Sequence, residues 1–241
     1  MVVEVSTVTD NDESAHRAGP IEELAELGFT KETLAALAPA IAATRLVVYE
    51  AGDTIYHEAT AIDSLYVIQS GRIKLLHHLE NGRTRIVRLH NRGSVIGING
   101  LMDDLHSHTA IAIDNVLIYQ IPMCLIKLVK EESPDTYGQL LEYWHEYLNI
   151  ADTWIIDFST GAIRGRVARL LRHLVETDEG TGPSEVIALT VEEMADVLGV
   201  TPESVSRTMA DLKRKKILQA IDNSQDHYRC NMEYLLREAE Q

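Results

Sequence analysis

Glu203, Ser206 and Arg207 stand at i, i+3 and i+4. On a helix they project from one side. An arginine there can donate a bidentate pair to guanine, and a glutamate can accept from cytosine N4. Ser206 can bond either a base or a phosphate. Thr201 and Ser204, just before, suit contacts to the sugar-phosphate backbone. The run Lys213-Arg214-Lys215-Lys216 follows, and its cations, Lys213 and Arg214 first, can track phosphates. This is base-edge readout by one short helix.

Such a helix needs a rigid mount, and the flanking residues describe one. Thr190 opens a first helix, with Glu193 three residues on, the pattern of a capping box. Met194, Ala195 and Leu198 form its inner side. Gly199 ends it, because a left-handed residue must turn the chain there. Thr201 caps the second helix and Pro202 takes its first position, where a missing N–H costs nothing. Small Ala195, Gly199 and β-branched Val205 meet the three steric demands of a helix-turn-helix. Ile217–Ile221 and His227–Cys230 then read as a hairpin wing around a polar turn.

Composition fits this locally rather than globally. The net charge is -15 over 241 residues. Phosphate repels acidic proteins, but the acidity is concentrated upstream. Residues 163–241 carry a net charge of -3 and residues 1–162 one of -12. No apolar run spans a membrane, and the acidic, polar N-terminus is no secretory signal. Cys124 and Cys230 form neither a disulfide framework nor a metal cluster by spacing, so a cytoplasmic chain with reduced thiols is expected. No P-loop, G-x-S-x-G, H-E-x-x-H or paired Cys-x-x-Cys occurs, and no enzyme is expected.

Upstream the text changes character. Residues 1–20 are polar and expected to fray. A helical stretch follows over about Ile21–Ala43. From Leu46 to Pro122 short β-favouring runs recur, separated by turn signals such as Ser70-Gly71, Asn81-Gly82 and Asp114-Asn115. Asn-Gly between alternating runs marks a hairpin, and many such strands suggest a rolled antiparallel sheet. Residues Pro134 to about Phe158 then read as one long helix. Its apolar residues Tyr137, Leu141, Trp144, Leu148, Ala151, Ile155 and Phe158 alternate spacings of 4 and 3. That is a heptad seam, the pattern of a two-helix dimer interface. Gly161 breaks it, and a helix over about Ile163–Glu176 precedes the reading motif. The expected class is α+β: 1–20 flexible, 21–132 β-roll, 133–160 dimerisation helix and 161–241 winged helix-turn-helix.

The whole order from 21 to 240 resembles the CRP/FNR family of transcription regulators. The text "LTVEEMADVLGVTPESVSRTMADLKRKKIL", Leu189 to Leu218, and "GAIRGRVARLLRHL", Gly161 to Leu174, carry the likeness. Glu203, Ser206 and Arg207 match the E-x-x-S-R pattern of FNR-type members. The resemblance implies a homodimer on double-stranded DNA, a palindrome with half-sites like TTGAT, and RNA polymerase as a partner. It also implies an effector pocket in the β-roll. A signal there would reposition the paired long helices until two reading heads fit successive major grooves, about 34 Å apart.

The pocket text departs from the cyclic-nucleotide pattern. In "GINGLMDDLHSHTAIA", Gly97, Ile98, Asn99, Gly100 and Leu101 occupy the phosphate-cradling stretch, and Ile98 stands where that pattern has Glu. His108 and Thr109 stand in place of Arg-Ser. A neutral His lacks the arginine fork, so cyclic AMP is not expected. Residues 1–45 hold no Cys, so neither is the iron–sulfur cluster of oxygen-sensing members. The cofactor stays unknown. Haem is an alternative, because one His can hold haem iron, and His106 and His108 would share a face of an extended segment. His77 and His78, adjacent on a strand, face opposite sides. The rival from another class is a β-roll ligand-binding module with no DNA role.

Overall fold

The computed structural model describes residues 3–4, 31–124, 126–127, 134–177, 182–221 and 226–240. Most of the expected flexible N-terminus, residues 21–30 of the expected first helix and the tip of the wing lie outside these. The residues pack into two compact units: 1–77 with 89–148, and 78–88 with 149–241.

The first unit is a β-roll, one hairpin of which contributes residues 78–88 to the second unit. Short helices α1 (Lys31–Ala36) and α2 (Ala38–Ala42) lead into its antiparallel sheets. β1 (Val3–Glu4), β2 (Arg45–Tyr49), β4 (Ser64–Ser70), β7 (Val95–Ile96) and β9 (Val116–Pro122) form one sheet in the order β1-β2-β9-β4-β7. β3 (Thr54–Tyr56), β5 (Ile73–His78), β6 (Thr84–His90) and β8 (Thr109–Ala112) form the other, in the order β3-β8-β5-β6. The short β-favouring runs expected between Leu46 and Pro122 became strands. Neither β1 nor β3 was foreseen: Val3 and Glu4 of the stretch expected to be flexible pair with Val48 and Val47, and the three half-buried residues of β3 carry no alternation to read. Val67, Ile68, Ile73 and Ile118 are fully buried, and such apolar burial is what drives the roll closed. Gly71, at positive φ, lies so close to the Asn115 carbonyl that a Cβ would meet it at 2.5 Å. Next to it, Arg72 forks onto Asp114 with bonds of 2.6 and 3.0 Å, pinning that corner.

The helix α3 spans Pro134–Ser159, as the periodicity predicted. The second unit continues with α4 (Ile163–Thr177), β10 (Glu185–Ile187), α5 (Val191–Leu198), α6 (Pro202–Arg214), β11 (Leu218–Ala220), β12 (His227–Cys230) and α7 (Met232–Ala239). Its sheet runs β10-β12-β11, so the expected two-stranded wing gains a third strand. Val167, Leu170, Leu171, Met194, Val205, Leu212 and Leu235 are buried to within a few per cent and form its core.

Candidate nucleic-acid interface

The mount of the reading helix is built as its sequence requires. Glu193 N donates to Thr190 Oγ1 at 3.2 Å, and Thr190 N donates to Glu193 Oε2 at 3.0 Å, closing the capping box. Gly199 ends α5 in the left-handed region, at φ 64° and ψ 35°. Ala195 and Val205 are buried where the two helices meet. One expectation fails. The Thr201 side chain makes no cap bond to a backbone N–H; its hydroxyl pairs with Ser204 Oγ at 3.2 Å instead. Ser204 N turns back to the Thr201 carbonyl at 3.0 Å, a tight first turn that leaves the hydroxyl no backbone donor.

Helix α6 divides cleanly. Val205, Met209 and Leu212 face the core, while Glu203, Ser206 and Arg207 are exposed on the other side. Arg207 Nε donates to the Glu203 carbonyl at 3.2 Å, which orients the guanidinium along the helix. Among the described residues no ion pair joins it to the Glu203 carboxylate. The Glu203 carboxyl is held below its ordinary range by its own backbone N–H, then by the Thr201 hydroxyl and the Arg207 charge. It therefore stays ionised and can only accept hydrogen bonds.

The basic run is more engaged than its text suggests. Lys213 Nζ bonds Tyr228 Oη at 2.8 Å and lies 4.5 Å from that ring's centre. Arg214 pairs with Asp211, and Lys215 approaches both Asp211 and Glu238. Arg164 ties Asp211 of α6 to Glu238 of α7. Both carboxyls are held low, chiefly by the Arg164 hydrogen bond. Sequence reading missed this knot, because Arg164, Asp211 and Glu238 are dozens of residues apart and each resembles an ordinary surface charge. Arg214 still has four-fifths of its side chain exposed. Pairs this wet are weak enough to exchange for phosphate.

In the β-roll the residues aligned with a phosphate cradle are packed into apolar core. Ile98 and Leu101 are buried with Ile62, Leu65, Val67 and Met123. Gly97 sits at φ 79°, where a Cβ would meet the Ser64 carbonyl at 2.7 Å. At Gly100 a Cβ would meet Ile62 and Met123 at 2.6 and 2.7 Å. The Asn99 carbonyl accepts from Met102 and Asp103 within its own turn. Thr109 Oγ1 accepts from Glu58 N at 3.0 Å. His106 and His108 do not share a face. The segment bends: His106 is buried and stacks on Tyr56, with ring centres 3.6 Å apart, whereas His108 lies edge-on to His77 at 6.5 Å. Burial holds the His106 ring's pKa below its ordinary value. No group of three potential metal ligands occurs among the described residues.

The seam of α3 divides too. Tyr137 is buried in its own unit, its hydroxyl donating to the Leu101 carbonyl at 3.0 Å. Leu141 and Trp144 pack partly on the same core. Phe158 is buried against Trp154 and His173, with ring centres 4.6 and 5.8 Å away. Tyr137 and Phe158 thus satisfy their apolar surface within the chain, a correction to the even heptad reading. Leu148 and Ile155 remain exposed, with Ala151 half-exposed between them, and Ile156 is exposed beside them.

Known proteins share this arrangement of elements. The cyclic nucleotide-binding domain family matches residues 46–127, and the Crp-like helix-turn-helix domain family matches residues 165–238. The chain belongs to the CRP/FNR family. Its members are DNA-binding transcriptional regulators, not enzymes, and so is this chain. The transcriptional activator protein FnrL of Cereibacter sphaeroides is 28% identical over 182 residues, covering 70% of this chain and 71% of that protein. A CRP-like cAMP-activated global transcriptional regulator of Mycobacterium tuberculosis is 25% identical over 168 residues, covering 68% and 75%. The structure of FixK2 from Bradyrhizobium japonicum matches with a TM-score of 0.72 at 19% identity, over 80% of this chain and 96% of that one, which establishes the shared fold. Of these three names, that of the Mycobacterium protein alone states an activator, cAMP, and it states it of that protein. The effector must therefore be argued from the β-roll itself. No helix among the described residues is long and apolar enough to cross a membrane.

Proposed function

We propose that the protein is a cytoplasmic homodimer that reads a palindromic FNR-like DNA site, one half-site per subunit, and recruits or blocks RNA polymerase there. The observation that carries this is α6: a helix mounted by two correct steric contacts, with Glu203, Ser206 and Arg207 together on its open face. Arg207 would take guanine and Glu203 cytosine. Ser206 would take a base or phosphate, and Thr201, Ser204, Lys213 and Arg214 would hold the backbone. Leu148, Ala151 and Ile155 supply a pairing face, and a two-fold dimer reads a palindrome by symmetry.

Control is assigned to the β-roll, around Gly97–Leu101, His108 and Thr109. The packing favours an effector other than cyclic AMP. Ile98 fills the place of the anchoring carboxylate with apolar bulk, and His108 offers no fixed fork for a phosphate. The donor set also suits haem poorly, since His106 is buried with its ring stacked on Tyr56. Titration of the protein into a duplex bearing an inverted repeat of TTGAT, with and without cyclic AMP, tests the reading. Binding that prefers the repeat and ignores cyclic AMP is expected.

A further inference from the structure

The second unit contains eleven residues from far upstream, the tip of the β5–β6 hairpin at 78–88. Two arginines there reach the turn of the helix-turn-helix. Arg85 Nη1 donates to the Asp196 carbonyl at 3.3 Å, and Arg83 Nη2 donates to the Val200 carbonyl at 3.2 Å. Arg166 of α4 donates to the Leu198 carbonyl between them at 3.0 Å. All three line one cleft with Ala195, Leu198 and Gly199.

The chemistry of the contact is specific. The last carbonyls of a helix lack intrahelical N–H partners, and cations are favoured at that end. Three guanidinium groups share those carbonyls here. Their crowding has a cost: burial, then the Arg166 charge, push the Arg85 pKa down, with Asp196 opposing. Gly199 completes the fit. A Cβ there would overlap the Arg85 guanidinium and displace it, while the positive φ itself favours glycine.

We propose that Arg83 and Arg85 are positioning residues of the DNA-reading head. They clasp the turn between α5 and α6, and so set how α6 presents Glu203, Ser206 and Arg207, without touching DNA. The proposal rests on α6 being the reading helix.

The test compares full-length wild type with Arg83→Ala/Arg85→Ala on the inverted-repeat and scrambled duplexes across a salt series. The preference for the repeat should fall about tenfold, the worth of one or two charge-assisted hydrogen bonds. Binding to the scrambled duplex and the salt slope should not change, while amide exchange at 199–201 should accelerate. Arg85→Lys should restore part of the preference, since a lysine keeps the charge but not the fork. An unchanged preference would overturn the proposal. So would a salt slope that falls by about 0.9 per arginine removed, because the arginines would then bind phosphate directly.

A stability cycle keeps the contact testable on its own. Gly199→Ala should be less damaging in an Arg85→Ala background than in wild type. Equal damage in both backgrounds would overturn the clasp. A wild type with no preference for the repeat would overturn both the clasp's role and the reading of α6. Coupling in the cycle would then show that the contact exists but does not serve readout.

Discussion

Among single residues, Arg207 and Asp211 do opposite things within one helix. Arg207 is exposed and oriented only by a carbonyl of its own helix, so nothing has to break before it meets a base. Arg207→Ala should cost about 1–3 kcal/mol of specific binding and leave the fold intact, measured by titration and by melting temperature. Asp211 instead gathers Arg164, Arg214 and Lys215. Replacing it with Asn should free Arg214 and Lys215 for phosphate, so that non-specific affinity and the salt slope both rise. The same knot makes a pH prediction. Asp211 and Glu238 have folded pKa values below their unfolded ones. Their stabilisation is thus complete above the ordinary carboxylate range, near pH 4, and is lost as pH falls through the lower folded values. The acid-side decline in melting temperature should be shallower in Glu238→Gln.

Among the elements, legibility followed sequence distance. The helix-turn-helix was readable because its determinants are local: a cap, a small residue, a left-handed glycine and a β-branched contact all fall between Thr190 and Val205. Most strands of the roll were readable from alternation and turn signals, but the short β1 and β3 were not. β10 was not, since it becomes a strand only by pairing Glu185, Val186 and Ile187 with Arg229, Tyr228 and His227. Nor was α7, whose Asn231 cap followed a segment read only as a wing. The seam of α3 was half legible. Periodicity marks which residues share a face but not which partner covers them, so Tyr137 and Phe158 looked like Leu148 and Ile155. Two predictions belong here. Thr190→Ala removes one side of the capping box and should destabilise the second unit by about 1 kcal/mol in denaturant unfolding. Leu148→Glu with Ile155→Glu should convert the proposed dimer to monomer by sedimentation while preserving the far-ultraviolet signal. A dimer that survives both would move the interface elsewhere.

For the molecule as a whole, the question is how a chain of net charge -15 binds a polyanion. Part of the answer is distribution: the segment that bears the reading helix is nearly balanced, and its cations can exchange internal partners for phosphates. In the proposed dimer symmetry supplies the rest, since two copies would double the base contacts without changing either surface. The acidic remainder opposes loose, sequence-independent binding, so specificity is favoured over raw affinity. In the β-roll, Ile98 and Leu101 belong to the apolar core, so the sheet architecture alone does not fix a ligand chemistry for this chain.

In the proposed function, regulation by this chain depends on paired α6 helices reading a palindrome through Glu203, Ser206 and Arg207. Titration of the purified protein, at stated salt, into a duplex carrying the inverted TTGAT repeat and into its scrambled counterpart addresses that dependence, with stoichiometry read by sedimentation. We expect tight binding of two chains per repeat and a weak, salt-sensitive association with the scrambled duplex. Equal affinity for the two duplexes, or one chain bound per repeat, would contradict paired readout.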